Sequence, residues 1–433
     1  MASELFRQVR LLDPVAETDR VVDVWIESDS VRVIREAIPP GIADDVELPS
    51  ADVTETDASG LVLGPALVDL YSHSGEPGYE SRETLASLHR AARAGGFGRV
   101  LLLPDTDPAI ATPADVEWIG QHTPAGLPRL QPWAALTLDA KGEQMAELGE
   151  LAQTDIAGFA DGRPIRQWGL LRRSLEYAQA LHRPIALWCC DETLRGNGVM
   201  RDGPDAIRFG LPGAPAIAET APLAALLECV AQIGTPVHLM RVSTARSVEL
   251  IAQAKASGLP ITASTTWHHL LLNTQSVGGY DPHLRLDPPL GTPADQAALI
   301  QAVRDGIIEA IAIDHSPYTY EEKTVPFAEA PPGAIGLELA LPLLWQQLVE
   351  PGQLPALTLW QALSTNPLRC LGEELRAIPV GIDSQSAPDT PTPLTLFDPR
   401  PLWKVTHQTL HSCSANTPWL GQEIQGQVVK VFF

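Results

Sequence analysis

The chain has 433 residues, 45% of them hydrophobic and 19% charged, enough apolar mass for a large core and too long for one small domain. Its formal charge of −23, with no local cluster of Lys and Arg to offset it, would repel a phosphate backbone, which argues against nucleic acid as a partner. Five cysteines without a C-x-x-C pair, no signal-like apolar core in "MASELFRQVRLLDP" and no run approaching about 18 apolar residues predict a reducing, cytoplasmic setting without membrane contact.

From Leu5 to about Gly60 the chain offers short alternating runs such as "VVDVWIESDSVRVI", broken by Asp, Ser, Gly and Pro. That pattern predicts small antiparallel strands. From Leu61 the texture changes to apolar runs, "RVLLLP", "PIALWCC", "TPVHLMRVS", "LPITAS" and "EAIAID", separated by helix-like segments such as "ETLASLHRAARAGG" and "TARSVELIAQAKASG". Strands alternating with helices imply a parallel sheet with helical crossovers. So many units in roughly 300 residues favour a closed barrel over an open sheet.

After Gly372 the chain turns Pro- and Asp-rich, and the segment from Gly381 to Pro393 reads as a surface loop because Pro removes donors and resists ladder pairing. Short strands then return in "LTLFDP" and "QGQVVKVFF". The expected architecture is therefore α/β: a (β/α)8 TIM-type barrel over 61–375, with a small β-sandwich domain built jointly from 1–60 and 376–433. No fixed-period repeat points to a solenoid.

In such a barrel the chemistry sits at the C-terminal ends of the strands. Those positions are occupied in order by Tyr71 and His73, Asp105, Asp161, Trp188, Arg241, His268 with His269, and Asp314 with His315. Together with "DLYSHSGEPG", "AARAGGFGRVLLLPDTDP", "LDPPLGTPADQAALI", "EAIAIDHSPYTYEEK", "STNPLRCLG" and "SANTPWLGQEIQGQV", this series resembles the dihydroorotases, cyclic amidohydrolases of the amidohydrolase superfamily. The likeness extends over nearly the whole chain.

The resemblance implies a barrel that holds one or two zinc ions to activate water and polarise an amide carbonyl. It also shows what has changed. The first His of the H-x-H pair is Tyr71, while His73 remains; Asp161 matches the acidic bridging position; Trp188 and Arg241 stand where two further ligand histidines are expected. Asp314 matches the aspartate that binds metal and shuttles the proton, so it is the catalytic residue if the chain is active. His73, Asp314 and Asp161 form an incomplete ligand set, and the expectation is no bound cofactor, with zinc the metal if one is held.

The substrate positions implied by the resemblance differ too. The Arg that clamps a substrate carboxylate is Gly75, two pocket asparagines are Asp105 and Asp287, an Arg is Gly291, and a loop His is Tyr318. A pocket that loses cations and gains carboxylates should reject an anionic substrate. Plainer readings stand beside these: His73 as a hydrogen-bonded strand-end histidine, His268 and His269 as structural, Trp188 as core, "YTYEEKT" as a solvated loop. Asp314 requires a partner, and Arg241 is the expected one. The favoured reading is a pseudoenzyme with an assembly role beside aspartate carbamoyltransferase or through self-association. Two alternatives stay open: an active cyclic amidohydrolase with an altered substrate, and a small-molecule sensor using the old pocket.

Overall fold

The computed structural model describes residues 3–27, 30–36, 53–124, 126–164, 166–375, 377–378 and 392–433. Most of the loop expected between Gly381 and Pro393 lies outside the described residues. The first strands are β1 (Ser3–Asp13), β2 (Thr18–Glu27), β3 (Ser30–Glu36), β4 (Val53–Asp57) and β5 (Val62–Pro65). β1 and β2 form a hairpin whose turn is held by Asp13, which accepts the N–H groups of Val15 and Ala16 at 3.0 Å. β4 and β5 both run parallel to β1 along its other edge.

The barrel follows at once. Its strands are β6 (Leu67–Ser72), β7 (Phe97–Leu102), β8 (Arg129–Pro132) and β9 (Ile185–Trp188), then, after the short pair β10 (Met200–Arg201) and β11 (Gly213–Ala214), β12 (Val237–Met240), β13 (Ile261–Thr266) and β14 (Ala310–Ala312). The ladders β6–β7, β7–β8, β9–β12, β12–β13 and β13–β14 are all parallel. Between β8 and β9 the extended stretch around Phe159 bridges Ala134 on one side and Ile185 on the other, which supplies the remaining stave of eight.

The seam between β6 and β14 closes in an unusual way. Asp69, fully buried, accepts the Ile313 N–H at 2.8 Å and the Ser72 hydroxyl at 2.5 Å. Farther along, Asp314 N–H donates to Tyr71 O, and His73 N–H to His315 O. A side-chain carboxylate thus does part of the work of a strand ladder, and burial pushes the Asp69 carboxyl up to about 7.

Helices cover the barrel from outside. The segment Leu85–Ala94 shows why its sequence suits that place: Thr84 caps it with a reciprocal bond to Ser87, and Leu85, Leu88, Ala91 and Ala92 turn one buried face to the strands. It stops at Gly95, where a Cβ would stand 2.0 Å from Leu337 O. Only a glycine allows that approach.

β15 (Leu394–Lys404) and β16 (Glu423–Phe432) return the chain to the first sheet. β15 pairs antiparallel with β5, giving one seven-stranded sheet in the order β16-β15-β5-β1-β2-β3, with β4 beside β1. β1 and β16 are three places apart, about 14 Å in a flat sheet. Yet Phe6 and Phe432 meet edge to face at 5.9 Å, and Glu4 pairs with Lys430 at 2.6 Å. The sheet therefore folds over itself into a sandwich around Phe6, Val9, Leu11, Val22, Val24, Leu63, Leu394 and Leu396. β5 belongs to this sheet, so the passage into the barrel runs through Ala66. Among the described residues no helix is long and apolar enough to cross a membrane.

Candidate functional site

The C-terminal mouth of the barrel holds a cavity of about 140 Å³, lined among others by His73, Trp188, Arg241, His268, Asp314 and Tyr318. At its base Arg241, 5% exposed, grips Asp314 through two bonds, Nε to Oδ2 at 2.9 Å and Nη2 to Oδ1 at 2.6 Å. Its Nη1 donates to Gly162 O at 3.0 Å. Burial alone would raise the Asp314 carboxyl, but the guanidinium outweighs it and holds that group well below the usual carboxylate range. Both residues have left-handed backbones, φ 56° at Arg241 and 52° at Asp314, a conformation that costs a side-chain-bearing residue free energy and collects at functional sites.

Aromatic rings close around the pair. The Arg241 guanidinium carbon lies 4.9 Å from the Trp188 ring centre and 5.6 Å from that of Tyr71. Tyr71 is fully buried; its hydroxyl oxygen accepts the Arg241 N–H at 3.1 Å and stands 3.0 Å from Ser264 Oγ, which in turn lies 2.8 Å from His238 Nε2. Burial pushes the phenol above its ordinary value, so it stays protonated. Asp105 is the partner of His73, its Oδ2 being 2.6 Å from Nδ1. His73 Nε2 faces Arg241 Nη2 at 3.2 Å and Asp314 Oδ1 at 3.5 Å. Burial opposes a charge on this imidazole, but the Asp105 carboxylate, with Asp314 behind it, raises it to about 9. Arg241, His73, Asp105 and Asp314 then sum to zero charge.

Several sequence expectations change here. Asp161 does not join the cluster: its carboxylate turns to Thr137, taking the backbone N–H at 3.0 Å and the hydroxyl at 2.7 Å, and only its neighbour's carbonyl reaches Arg241. Asp105 and Asp287 do not make the pocket anionic, because His73 neutralises one and Arg195 binds the other at 2.7 Å. Lys323 in "YTYEEKT" is buried, not solvated, with its ammonium on the carbonyls of Pro282 and Pro331. Tyr318 lines the cavity between two cations, Arg82 at 4.9 Å and Lys323 at 5.2 Å. His315 points to Glu83 at 3.2 Å instead of the cavity. Arg195 and Ser264 went unnoticed in the sequence, since neither sits at a matched motif position.

Gly75 is a structural necessity of its turn. A Cβ there would meet Glu83 O at 2.3 Å and Tyr79 O at 2.5 Å. An arginine clamp cannot be restored by one substitution. Gly75→Arg is expected to lower stability by about 1–3 kcal/mol through overpacking, read by urea denaturation, without creating a carboxylate site; an unchanged midpoint would disprove the steric argument.

Comparison with known proteins accords with this geometry. A family model described as dihydro-orotase-like matches residues 60–247. A probable dihydroorotase-like protein of Synechocystis sp. is 44% identical, with 99% of each chain covered. A dihydroorotase of Pelobacter propionicus is 36% identical over 98% of this chain and 96% of its own. The chain belongs to the dihydroorotase-like family. The L-hydantoinase of Arthrobacter aurescens shares the fold, with a TM-score of 0.82 at 18% identity, covering 99% of this chain and 94% of that one.

Zinc does not fit the donors that this dihydroorotase-like chain presents. Both Asp314 oxygens are committed to Arg241, His73 Nε2 faces the Arg241 guanidinium at 3.2 Å, and Tyr71 keeps its proton. Two of the matched positions carry Trp188 and Arg241, and neither side chain can ligate. Among the described residues no three His, Cys, Asp or Glu side chains gather as a metal-holding group, whereas zinc sites use at least three protein ligands.

Proposed function

We propose that this dihydroorotase-like chain is a catalytically silent member of its family and that it acts in assembly, with aspartate carbamoyltransferase or with further copies of itself. One observation carries the silence: the Arg241 guanidinium, with its permanent charge, is bound bidentately to the aspartate expected to hold metal and move the proton. A cation that cannot be deprotonated repels a dication from the same spot. It also supplies no hydroxide. The assembly role is supported by the family resemblance, together with a fold whose barrel and sandwich are complete while its reaction centre is rebuilt.

The test has two arms. Protein purified from zinc-supplemented medium is expected to hold far less than one zinc per chain, and to turn over dihydroorotate roughly 10³–10⁵-fold more slowly than an active dihydroorotase, the rate equivalent of losing several kcal/mol of metal-based stabilisation. Stoichiometric zinc with ordinary turnover would refute the silent reading. Sedimentation of the chain with and without aspartate carbamoyltransferase tests the assembly role, which fails if the chain stays monomeric in both.

A further inference from the structure

A second cavity, of about 250 Å³, opens on the seam between the barrel and the sandwich and shares no lining residue with the one at the barrel mouth. Ala94, Glu338 and Pro342 reach it from the barrel side, Trp403 from β15, Gln427 and Val428 from β16, and Thr409 and His411 from the connection between those two strands. Glu338, 7% exposed, is the fixed point of its wall. One carboxylate oxygen accepts the backbone N–H groups of His411 at 2.8 Å and Ser412 at 3.1 Å, and the other takes His411 Nδ1 at 2.8 Å. A carboxylate can only accept, so Nδ1 carries the hydrogen, and Nε2 is the one polar atom the ring has left to offer. The His411 side chain is 51% exposed, whereas the carboxylate that aims it is buried.

The rest of the wall limits what can bind. Trp403 has spent its Nε1–H on Gly426 O at 2.8 Å and the Thr409 hydroxyl donates to Lys404 O at 2.9 Å, so Trp403 presents carbon, as do Ala94, Pro342 and Val428. No Lys or Arg is among the lining residues, and both oxygens of the Glu338 carboxylate are engaged. A charged ligand of either sign therefore finds no free counter-charge and would lose hydration without return. A sugar meets the same objection, since each of its hydroxyls needs a partner and the wall offers few. An apolar wall with one oriented polar group suits a small, mostly apolar ligand. The volume exceeds the roughly 150 Å³ that houses one benzene ring, which leaves room for a second fused ring.

We propose that this cavity binds a small uncharged aromatic molecule of about the size of indole, with one N–H or O–H that donates to His411 Nε2 and a ring that lies against Trp403, Pro342 and Val428. Such a ligand touches the barrel and both C-terminal strands at once, so it stabilises their contact by mass action. The inference does not depend on whether the barrel mouth is silent.

Indole, 1-methylindole and indole-3-carboxylate share a ring system and differ in donor and charge, which makes them the probes. At pH 9, above the usual imidazole range, indole is expected to shift the His411 side-chain resonance saturably and to raise Tm, while 1-methylindole, which lacks the N–H, and the carboxylate bind at least fivefold more weakly. His411→Phe, which keeps a ring and removes the acceptor, should weaken indole by the same factor in the Tm titration. If that variant does not fold, the comparison of indole with 1-methylindole decides alone. No saturation up to the solubility of indole, an unmoved His411 signal, or 1-methylindole or glucose binding as tightly as indole overturns the proposal.

Discussion

Replacing Arg241 by Ala is expected to lower the folding free energy by about 3–5 kcal/mol at pH 7, because removing one partner of a buried pair leaves the other charge uncompensated. Asp314 would lose both of its guanidinium bonds, and Gly162 O a third. The low end is the better expectation, since the Asp314 side chain is 13% exposed and can recover some hydration or take up a proton. Its carboxyl should rise from its present depressed position, so the variant's deficit should shrink in acid. Arg241→Gly should be less harmful than Arg241→Ala, as glycine adopts φ 56° without penalty. Urea unfolding of the two variants and of Arg241→Ala with Asp314→Asn measures all of this. A loss below about 1 kcal/mol in Arg241→Ala would show that water, and not the guanidinium, serves Asp314.

Mild acid is expected to destabilise the protein through buried histidines. Burial holds His238 and His268 down to about 3 and His269 to about 4, with Lys255, His269 and Arg201 adding repulsion in turn. Each is depressed below the unfolded value near 6.5, so the unfolded chain binds more protons, and stability falls as pH drops below about 6.5. From pH 7 to 5 the three together would cost about 5–6 kcal/mol. Two groups oppose them. His73 and Asp69, both raised in the folded state, return about 3 kcal/mol over the same range. The net loss is then about 2–3 kcal/mol, and His238→Gln should flatten the slope by nearly one proton. A stability profile level from pH 7 to 5 would contradict it.

The barrel was legible because its strands are apolar runs of regular spacing, and the parallel register needs little else. The pairing of Arg241 with Asp314 was legible as well, since a carboxylate at a strand end demands a cation and a long side chain on a nearby strand can deliver one. What escaped was everything decided by side-chain direction. Asp161 sits at a matched position, but its carboxylate turns to Thr137. Asp105 and Asp287 counted as added negative charge until their partners, His73 and Arg195, were in place. Gly75 read as a lost arginine, although the turn around it has no room for any Cβ.

The folded-over sheet has a consequence for how the protein is made. Glu4 and Lys430, 426 positions apart, pair directly while staying partly exposed, and β5 lies between a strand from each end of the chain. On the ribosome, at 5–20 residues per second, the early strands must wait roughly 20–90 s for their neighbours. During that time β5 shows an open edge to the cell. All of the barrel's residues are synthesised before β15 and β16, so these two strands can dock onto β5 only after the barrel sequence is complete. A nascent chain stalled before residue 394 would carry an unsatisfied strand beside a complete barrel sequence, and is the form in which chaperone contact or mispairing with another copy is to be sought.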